Sequence, residues 1–447
     1  MKVFNKVIAV VSVTAALSVV AITGWRQWGP LPESVAARVN GEAIPAETLN
    51  IFVAASRRAN PQTSREVVLK GLIENRLLAD MAKSEHGHEG HEEGQGRVGY
   101  DAQSLQEQHR FRLLRTAYAS QIQAAIRQSG INDSRAWLTA PLDLSAETLQ
   151  PMLSLQQNLY TTMTEQQQAQ AAAHVIARYR FVDDAPEQTL SLWDLYRRQN
   201  IQLKVQMHNL NLGFIREAIK QQLNMEFVFH WFEHESGVAP AAMVAMDRCI
   251  EDARQREVML HEYGLMHDIH DDNPALRAQA ETVTTEQVAE YYQQHRDEFV
   301  RVEKVRARHL RVNSQQQADK VVAEIKQGLA FAEAVSRYSV AEDAATGGEL
   351  GWVDRDSRNG DWIRALAFVQ PQGRVSASFR SPTDSNDAYW EILWVDEKVT
   401  GFQPVDSESV RYRAAMAIAR VQLQEAFKAR LAAASEAASL RVNPEVL

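Results

Sequence analysis

The sequence predicts an α+β fold: a mostly α-helical body joined to a small antiparallel sheet flanked by helices. Three observations carry this. Apolar residues recur at helical spacing through most of residues 35–297. Near Glu303 the pattern changes to strand alternation and then runs in the order β-α-α-β-α-β. After the Gln403-Pro404 break, a single long stretch from Asp406 to Ala434 keeps one apolar face. The 447 residues, 45% hydrophobic and 23% charged, have a globular composition. That length suits two or three folded units.

Charge and cysteine content remove several classes. Lys plus Arg total 48 against 57 Asp plus Glu, a net charge of -9, so no broad cationic field exists to make nucleic acid the main partner. Cys249 is the only cysteine, which excludes an intramolecular disulfide framework and a cysteine-rich zinc site.

Residues 1–28 read as a membrane anchor or export signal. Lys2 and Lys6 precede the uncharged run Val7–Gly24. Its eighteen residues, at about 1.5 Å each, just reach the hydrocarbon thickness of a bilayer. The flanking charges orient the N-terminus inward, and Trp25 and Trp28 stand where an interface belt would. A cleaved signal ending near Ala21 is the rival reading. Either way the body lies across the membrane, in the periplasm of a Gram-negative-type cell. The uncleaved reading makes it a single-pass inner-membrane protein, and the rival makes it soluble.

The helical body, residues 35–297, opens with a brief strand and an Asn40-Gly41 turn, then a helix from Pro45 to about Arg58. Ser64–Lys83 carries an apolar stripe of Val68, Leu72, Ile73, Leu77 and Met81. A Gly/His/Glu-rich loop spans 84–99. Helical spacing returns from Asp101 to Gln128 and again over the Gln- and Ala-rich stretch 145–180, with Val175 on its stripe. Ile201, Leu203, Val205 and Met207 alternate with polar residues as a strand would. Helices follow over 213–297. In the segment 300–402, Lys304–Val312 puts Val305, Ala307 and His309 on one strand face. Ser314 can cap a helix with the stripe Ala318, Val321, Val322 and Ile325, stopped at Gly328. Short helices follow at Phe331–Tyr338 and Asp361–Phe368, and Tyr389–Val395 is the last strand. The final segment, 403–447, is the long helix, whose lone apolar stripe needs a partner and finds one in the helical body.

Residues 303–399 resemble a parvulin-type peptidyl-prolyl isomerase domain. The resemblance is carried in order by Arg306-Ala307-Arg308-His309-Leu310, the Gly328-x-x-Phe331 junction, Tyr338-Ser339, Gly347-Gly348-Glu349-Leu350-Gly351-Trp352, Ala365 and Gly373-x-Val375-Ser376. Val283–Phe299 resembles the helix that introduces such domains in periplasmic foldases. Val39–Pro45 with Leu72–Leu78 is similar to the N-terminal chaperone segment of SurA- and PpiD-like proteins. Residues 100–280 carry none of these motifs.

The resemblance implies a peptidyl-prolyl isomerase and chaperone, without cofactor, acting on unfolded or proline-containing exported polypeptides. His309 falls at the first family histidine, as the catalytic polar residue. Leu350, Val353 and Trp362 fall where the family lines its proline pocket. Two family positions depart from the pattern. Ala341 stands where Cys or Asp is usual, with Glu342 or Asp343 able to substitute only if the loop shifts register. Trp390 takes the place of the second histidine, at the edge of the substrate pocket. The departures imply weakened catalysis with retained peptide binding, and leave a non-catalytic holdase or dedicated assembly factor as the alternative. A minor alternative is a metal-dependent enzyme, because His230-x-x-Glu233-His234 spells an inverted zincin motif. His86, His88 and His91 form a metal-capable tract in an otherwise solvated loop. Cys249 reads as a small buried hydrophobe.

Overall fold

The computed structural model describes residues 31–86, 101–131, 133–154, 163–266, 273–358, 361–383 and 387–447. The apolar run Val7–Gly24 and the tract at His88 and His91 therefore lie outside the described residues, as does the side chain of His86. No helix among the described residues is long and apolar enough to cross a membrane. The chain divides into two compact units, Met1–Asn273 with Leu423–Leu447, and Pro274–Gln422.

The first unit begins with a hairpin, β1 (Val35–Val39) and β2 (Glu42–Pro45). Asn40 and Gly41 both take positive φ, 51° and 86°, the backbone that a two-residue hairpin turn requires. The last strand of the chain, Leu440–Val442, pairs antiparallel with β1, so the two ends of the described chain share one sheet. Helices α1 (Ala46–Ala59) and α2 (Arg65–His86) cover it, and the predicted stripe buries Val68, Leu72, Ile73 and Leu77, with Leu69 beside them, against Val39, Ile44 and Leu49. Arg76 crosses this core to Asp252, 2.6 Å away, and its side chain is only 4% exposed.

A second core in this unit gathers around the helix Leu212–Glu235, which buries Ile215, Ile219, Leu223, Phe227 and Phe232. Two predicted elements change here. Ile201–His208 is a helix, not a strand: the Asn200 side chain accepts from Leu203 N at 2.9 Å and caps it. Eight residues are too few for alternation to be told from helical spacing. Conversely, Val175 starts a strand, Val175–Tyr179, paired with Gln188–Ser191. The Ala-rich helix before it ends at Ala173. Predicted Asp101–Gln128 is two helices, Ala102–Ala117 and Ala119–Gln128, meeting at Tyr118.

The second unit is built on a four-stranded antiparallel sheet. Two 13-residue strands, Val300–Val312 and Trp390–Phe402, lie side by side at its centre. Glu349–Asp354 flanks the first and the two-residue Phe379–Arg380 flanks the second. Helices Gln315–Lys326 and Phe331–Tyr338 bury Val321, Ile325, Phe331 and Val335 against Leu310, Val312 and Ile392 on one face. Helix Trp362–Val369 covers the other, with Ile363, Ala367 and Phe368 against Val305, Ala307, Leu393 and Val395. Residues 274–297, grouped by sequence with the helical body, belong to this unit. The reason is packing: Val288 of helix Thr285–Gln294 is buried with Phe299, Val410 and Ala414. The long C-terminal helix, Glu408–Ala437, is accordingly not wholly a partner of the body. Val410 and Ala414 serve this core, while Phe427 packs with Leu78, Met259 and Leu260 of the first unit.

Candidate active site

The side-chain alternation of the central strands puts His309 and Arg311 on one face of the sheet. The register pairs His309 with Leu393 and Arg311 with Glu391, so Leu393 and Glu391 share that face. The result is a polar cluster at the end of an apolar surface. His309 is 5% exposed and Glu391 1%. The imidazole meets Glu391 Oε2 through Nδ1 at 2.7 Å and Asp343 Oδ2 through Nε2 at 2.9 Å. Glu391 Oε1 in turn accepts from Arg311 Nε at 2.7 Å.

With a carboxylate at each ring nitrogen, both nitrogens donate, and the ring is an imidazolium. Burial opposes that charge, but the hydrogen bond and charge of Glu391, then those of Asp343, hold the His309 pKa above its ordinary value. Two cations and two carboxylates leave the cluster electrically balanced.

Backbone geometry holds the cluster together. His309 N donates to Gly348 O at 2.8 Å, and Gly348 N donates to Asp343 O at 3.0 Å. Gly348 has φ of 63°, and a Cβ there would stand 2.0 Å from the His309 carbonyl oxygen. Only glycine fits. Ser339 Oγ accepts from Arg311 N at 3.2 Å and from Ala341 N at 3.3 Å, tying the loop before Asp343 to the strand.

The predicted pocket residues separate into three groups. Leu350 and Trp362 are half-buried on the same side of the sheet as His309, packed on the cluster that contains Leu393. Val353 belongs to that cluster too, but is 0% exposed. It is a core residue beneath the surface and has nothing to offer a bound ring. Trp390 lies on the opposite face, against Leu310, Val312 and the two helices there. The predicted substitution at the second-histidine position is thus corrected by one residue: Glu391, not Trp390, faces His309. Both faces of this strand are buried, with Ile392 and Leu393 each 0% exposed, so the apolar pattern could not fix the register. The available signal was a single Glu inside an aromatic and aliphatic strand. Of the loop residues weighed against Ala341, Asp343 is the one that reaches His309.

The two histidines of the inverted zincin motif lie together, with His230 and His234 ring centroids 4.5 Å apart. Glu233 Oε1 accepts from Arg110 Nη2 at 2.9 Å, and the His230 ring lies against Phe181 with centroids 5.3 Å apart. Burial, then the neighbouring His234, lowers the His230 pKa. Among the described residues no three His, Cys, Asp or Glu side chains converge as a metal site. Cys249 is buried, and burial pushes its thiol up to about 12. A cleft of about 410 Å³ lined by Arg308, Ile325, Phe331 and Trp394 opens on the helical face of the sheet, away from His309.

Similarity to known proteins falls on the same stretch. Residues 283–411 match the family model of the PPIC-type PPIASE domain. Foldase protein PrsA of Bacillus subtilis is 29% identical over 95 residues, which are 21% of this chain and 31% of that protein. Chaperone SurA of Thiobacillus denitrificans is 30% identical over 120 residues, 27% of this chain and 26% of that protein. The chain spans less than a third of either relative. Among solved structures, a PpiC-type peptidyl-prolyl cis-trans isomerase domain aligns at 24% identity over 23% of this chain and 96% of that one, with a TM-score of 0.19. On the family match, and with the ordered motifs and the His309 cluster falling inside it, residues 283–411 are a parvulin-type, PpiC-like domain, similar to the corresponding stretch of SurA and PrsA foldases.

Proposed function

We propose that the chain is an exported foldase whose parvulin-type domain holds prolyl segments of unfolded polypeptides on the Leu350–Trp362 surface and isomerises them slowly. Rotation about an X-Pro bond faces a barrier of about 18–20 kcal/mol set by amide resonance. Its catalysis requires an apolar seat for the ring and polar groups aimed at the twisted amide. Leu350 and Trp362 supply the seat. The observation that carries the reading of slow turnover is that both His309 ring nitrogens already donate to protein carboxylates. No imidazole N–H remains for the substrate, so His309 organises the cluster without touching the amide. Loss of one preorganised donor typically lowers a rate by about 10²–10³.

The uncharged run Val7–Gly24 supports export, with the helical unit as the client-holding module. The test is an exchange spectrum of an Ala-Pro peptide with catalytic amounts of the full chain. Peptide resonances that shift on binding, with little added cis-trans exchange, support the proposal. Rapid exchange abolished by His309→Ala refutes the slow-turnover reading. A pure holdase is the second reading, favoured by the same closed cluster. It requires full suppression of client aggregation with no added exchange at any enzyme concentration.

A further inference from the structure

The helix Leu212–Glu235 carries two imidazoles on one face near its C-terminal end. His230 and His234 are four residues apart, the spacing that sets side chains on successive turns beside one another. Their ring centroids lie 4.5 Å apart, with the planes tilted by 52°. Neither ring has a hydrogen bond or ion pair with another described residue. His230 is held from behind: its ring packs on Phe181, whose own ring meets the buried Trp137 in a T-shaped contact at 5.2 Å. His234 is exposed, so its ring can turn.

The surroundings favour a cation bound through nitrogen. Burial, then His234, lowers the His230 pKa, so its ring is neutral at pH 7 and keeps the lone pair that a metal needs. The negative charges of Glu235 and Glu233 are both felt at His230. Glu233 is itself taken by Arg110 at 2.9 Å, so it contributes negative field and not a free base.

We propose that His230 and His234 form an open two-imidazole site for a late first-row divalent transition ion, copper(II), nickel(II) or zinc(II), completed by water. Metal–nitrogen bonds of about 2.0–2.1 Å set two ligating nitrogens about 3 Å apart, a span that rotation of the exposed His234 ring closes. Imidazole suits these ions and leaves magnesium and calcium, which require oxygen ligands, unbound. No third protein ligand converges here among the described residues. The ion is therefore a strut across the last turn of the helix and not a catalytic centre. It ties His234 to His230, which the Phe181 stack already holds, and stabilises the folded helix by mass action when the ion is present.

The experiment is calorimetric titration of the full chain with zinc(II) and with copper(II). The parent for it carries His86→Asn, His88→Asn and His91→Asn, so that the histidine tract does not compete. One ion per chain is expected to bind, with magnesium and calcium giving no heat. His230→Gln and His234→Gln should each weaken binding by at least about tenfold, and Glu233→Gln by no more than about fivefold. Paramagnetic resonance of the copper(II) complex should show two ligating nitrogens in the parent and fewer in either histidine variant. No binding to the parent, or binding that both histidine substitutions leave undiminished, overturns the site. A loss in Glu233→Gln as large as in His234→Gln overturns the two-imidazole ligand set. A thermal midpoint unmoved by saturating zinc overturns the strut. Should His230→Gln not fold, the exposed His234→Gln and the nitrogen count decide the matter.

Discussion

Replacing Glu391 by glutamine preserves shape and removes one charge from the centre of the cluster. The carboxylate is 1% exposed and accepts two charge-assisted hydrogen bonds, from His309 and Arg311, each at 2.7 Å. A glutamine amide has one acceptor oxygen, and its NH₂ faces a donor, so one of the two N–H groups is left unpaired. Removing one member of a buried ion network costs about 3–5 kcal/mol. Water reaches the half-exposed Arg311 and recovers part of this, leaving about 3 kcal/mol, or roughly a hundredfold more frequent opening of the sheet. The wild-type chain carries a pH signature of the same contact. The folded pKa of His309 is raised above its unfolded value of about 6.5. Its contribution to stability is therefore complete below about pH 6.5 and is lost as pH rises through the folded value. Hydrogen-exchange protection factors for residues 305–312 and 389–396, measured by mass spectrometry on the full chain between about pH 6 and pH 9, read both effects. Wild-type protection declines as pH rises, and Glu391→Gln starts about a hundredfold lower with a shallower slope, since Asp343 still holds Nε2. A wild-type profile flat across that range, or a variant as protected as wild type, refutes an imidazolium held between two carboxylates.

Three further perturbations address separate parts of the structure. Gly348→Ala places a Cβ 2.0 Å from the His309 carbonyl oxygen at a φ of 63°. The turn carrying Asp343 must move, and the thermal midpoint of the chain should fall by an amount equivalent to at least about 1–3 kcal/mol. Asp252→Asn leaves Arg76, 4% exposed, with a neutral partner at Nε and the half-exposed Glu42 as its remaining carboxylate. Exchange protection should drop by about 3 kcal/mol in helices Arg65–His86 and Pro240–Glu262 and stay unchanged in the strand Val300–Val312. Trp390→Phe trims a ring on the helical face of the sheet. Prolyl-peptide affinity measured by anisotropy should stay within about twofold of wild type, and a tenfold loss would return Trp390 to the binding surface.

The sequence showed most of the parvulin-type domain because its elements carry independent local signals. Ser314 caps a helix with an unbroken stripe, Gly328 ends it at φ of 113°, and Gly347 and Gly348 turn the chain into a strand. What stayed hidden depended on partners far away along the chain. Leu440–Val442 is three residues long and owes its strand state to pairing with Val35–Val39. Val175–Tyr179 likewise needs Gln188–Ser191, and nothing in the Ala-rich stretch before it announces the change. Pocket lining was legible only as membership of a patch. Position along the chain marked Leu350, Val353 and Trp362 equally, and only depth in the packed core separates Val353 from the other two.

The four charged residues of the cluster make sense only as a set. A carboxylate at 391, 1% exposed, is prohibitively costly alone, since a lone buried charge neutralises or unfolds its surroundings. A protonated His309 offsets it, and Arg311 supplies a second hydrogen bond to the remaining oxygen. Once His309 is charged through Nδ1, its Nε2 N–H also needs an acceptor. Ala341 offers none, and Asp343 reaches in from the turn instead. Each departure from the family pattern therefore requires the next. Together they close the cluster on its own ion pairs. On the function proposed above, that closure is what slows isomerisation while Leu350 and Trp362 keep a seat for a prolyl chain.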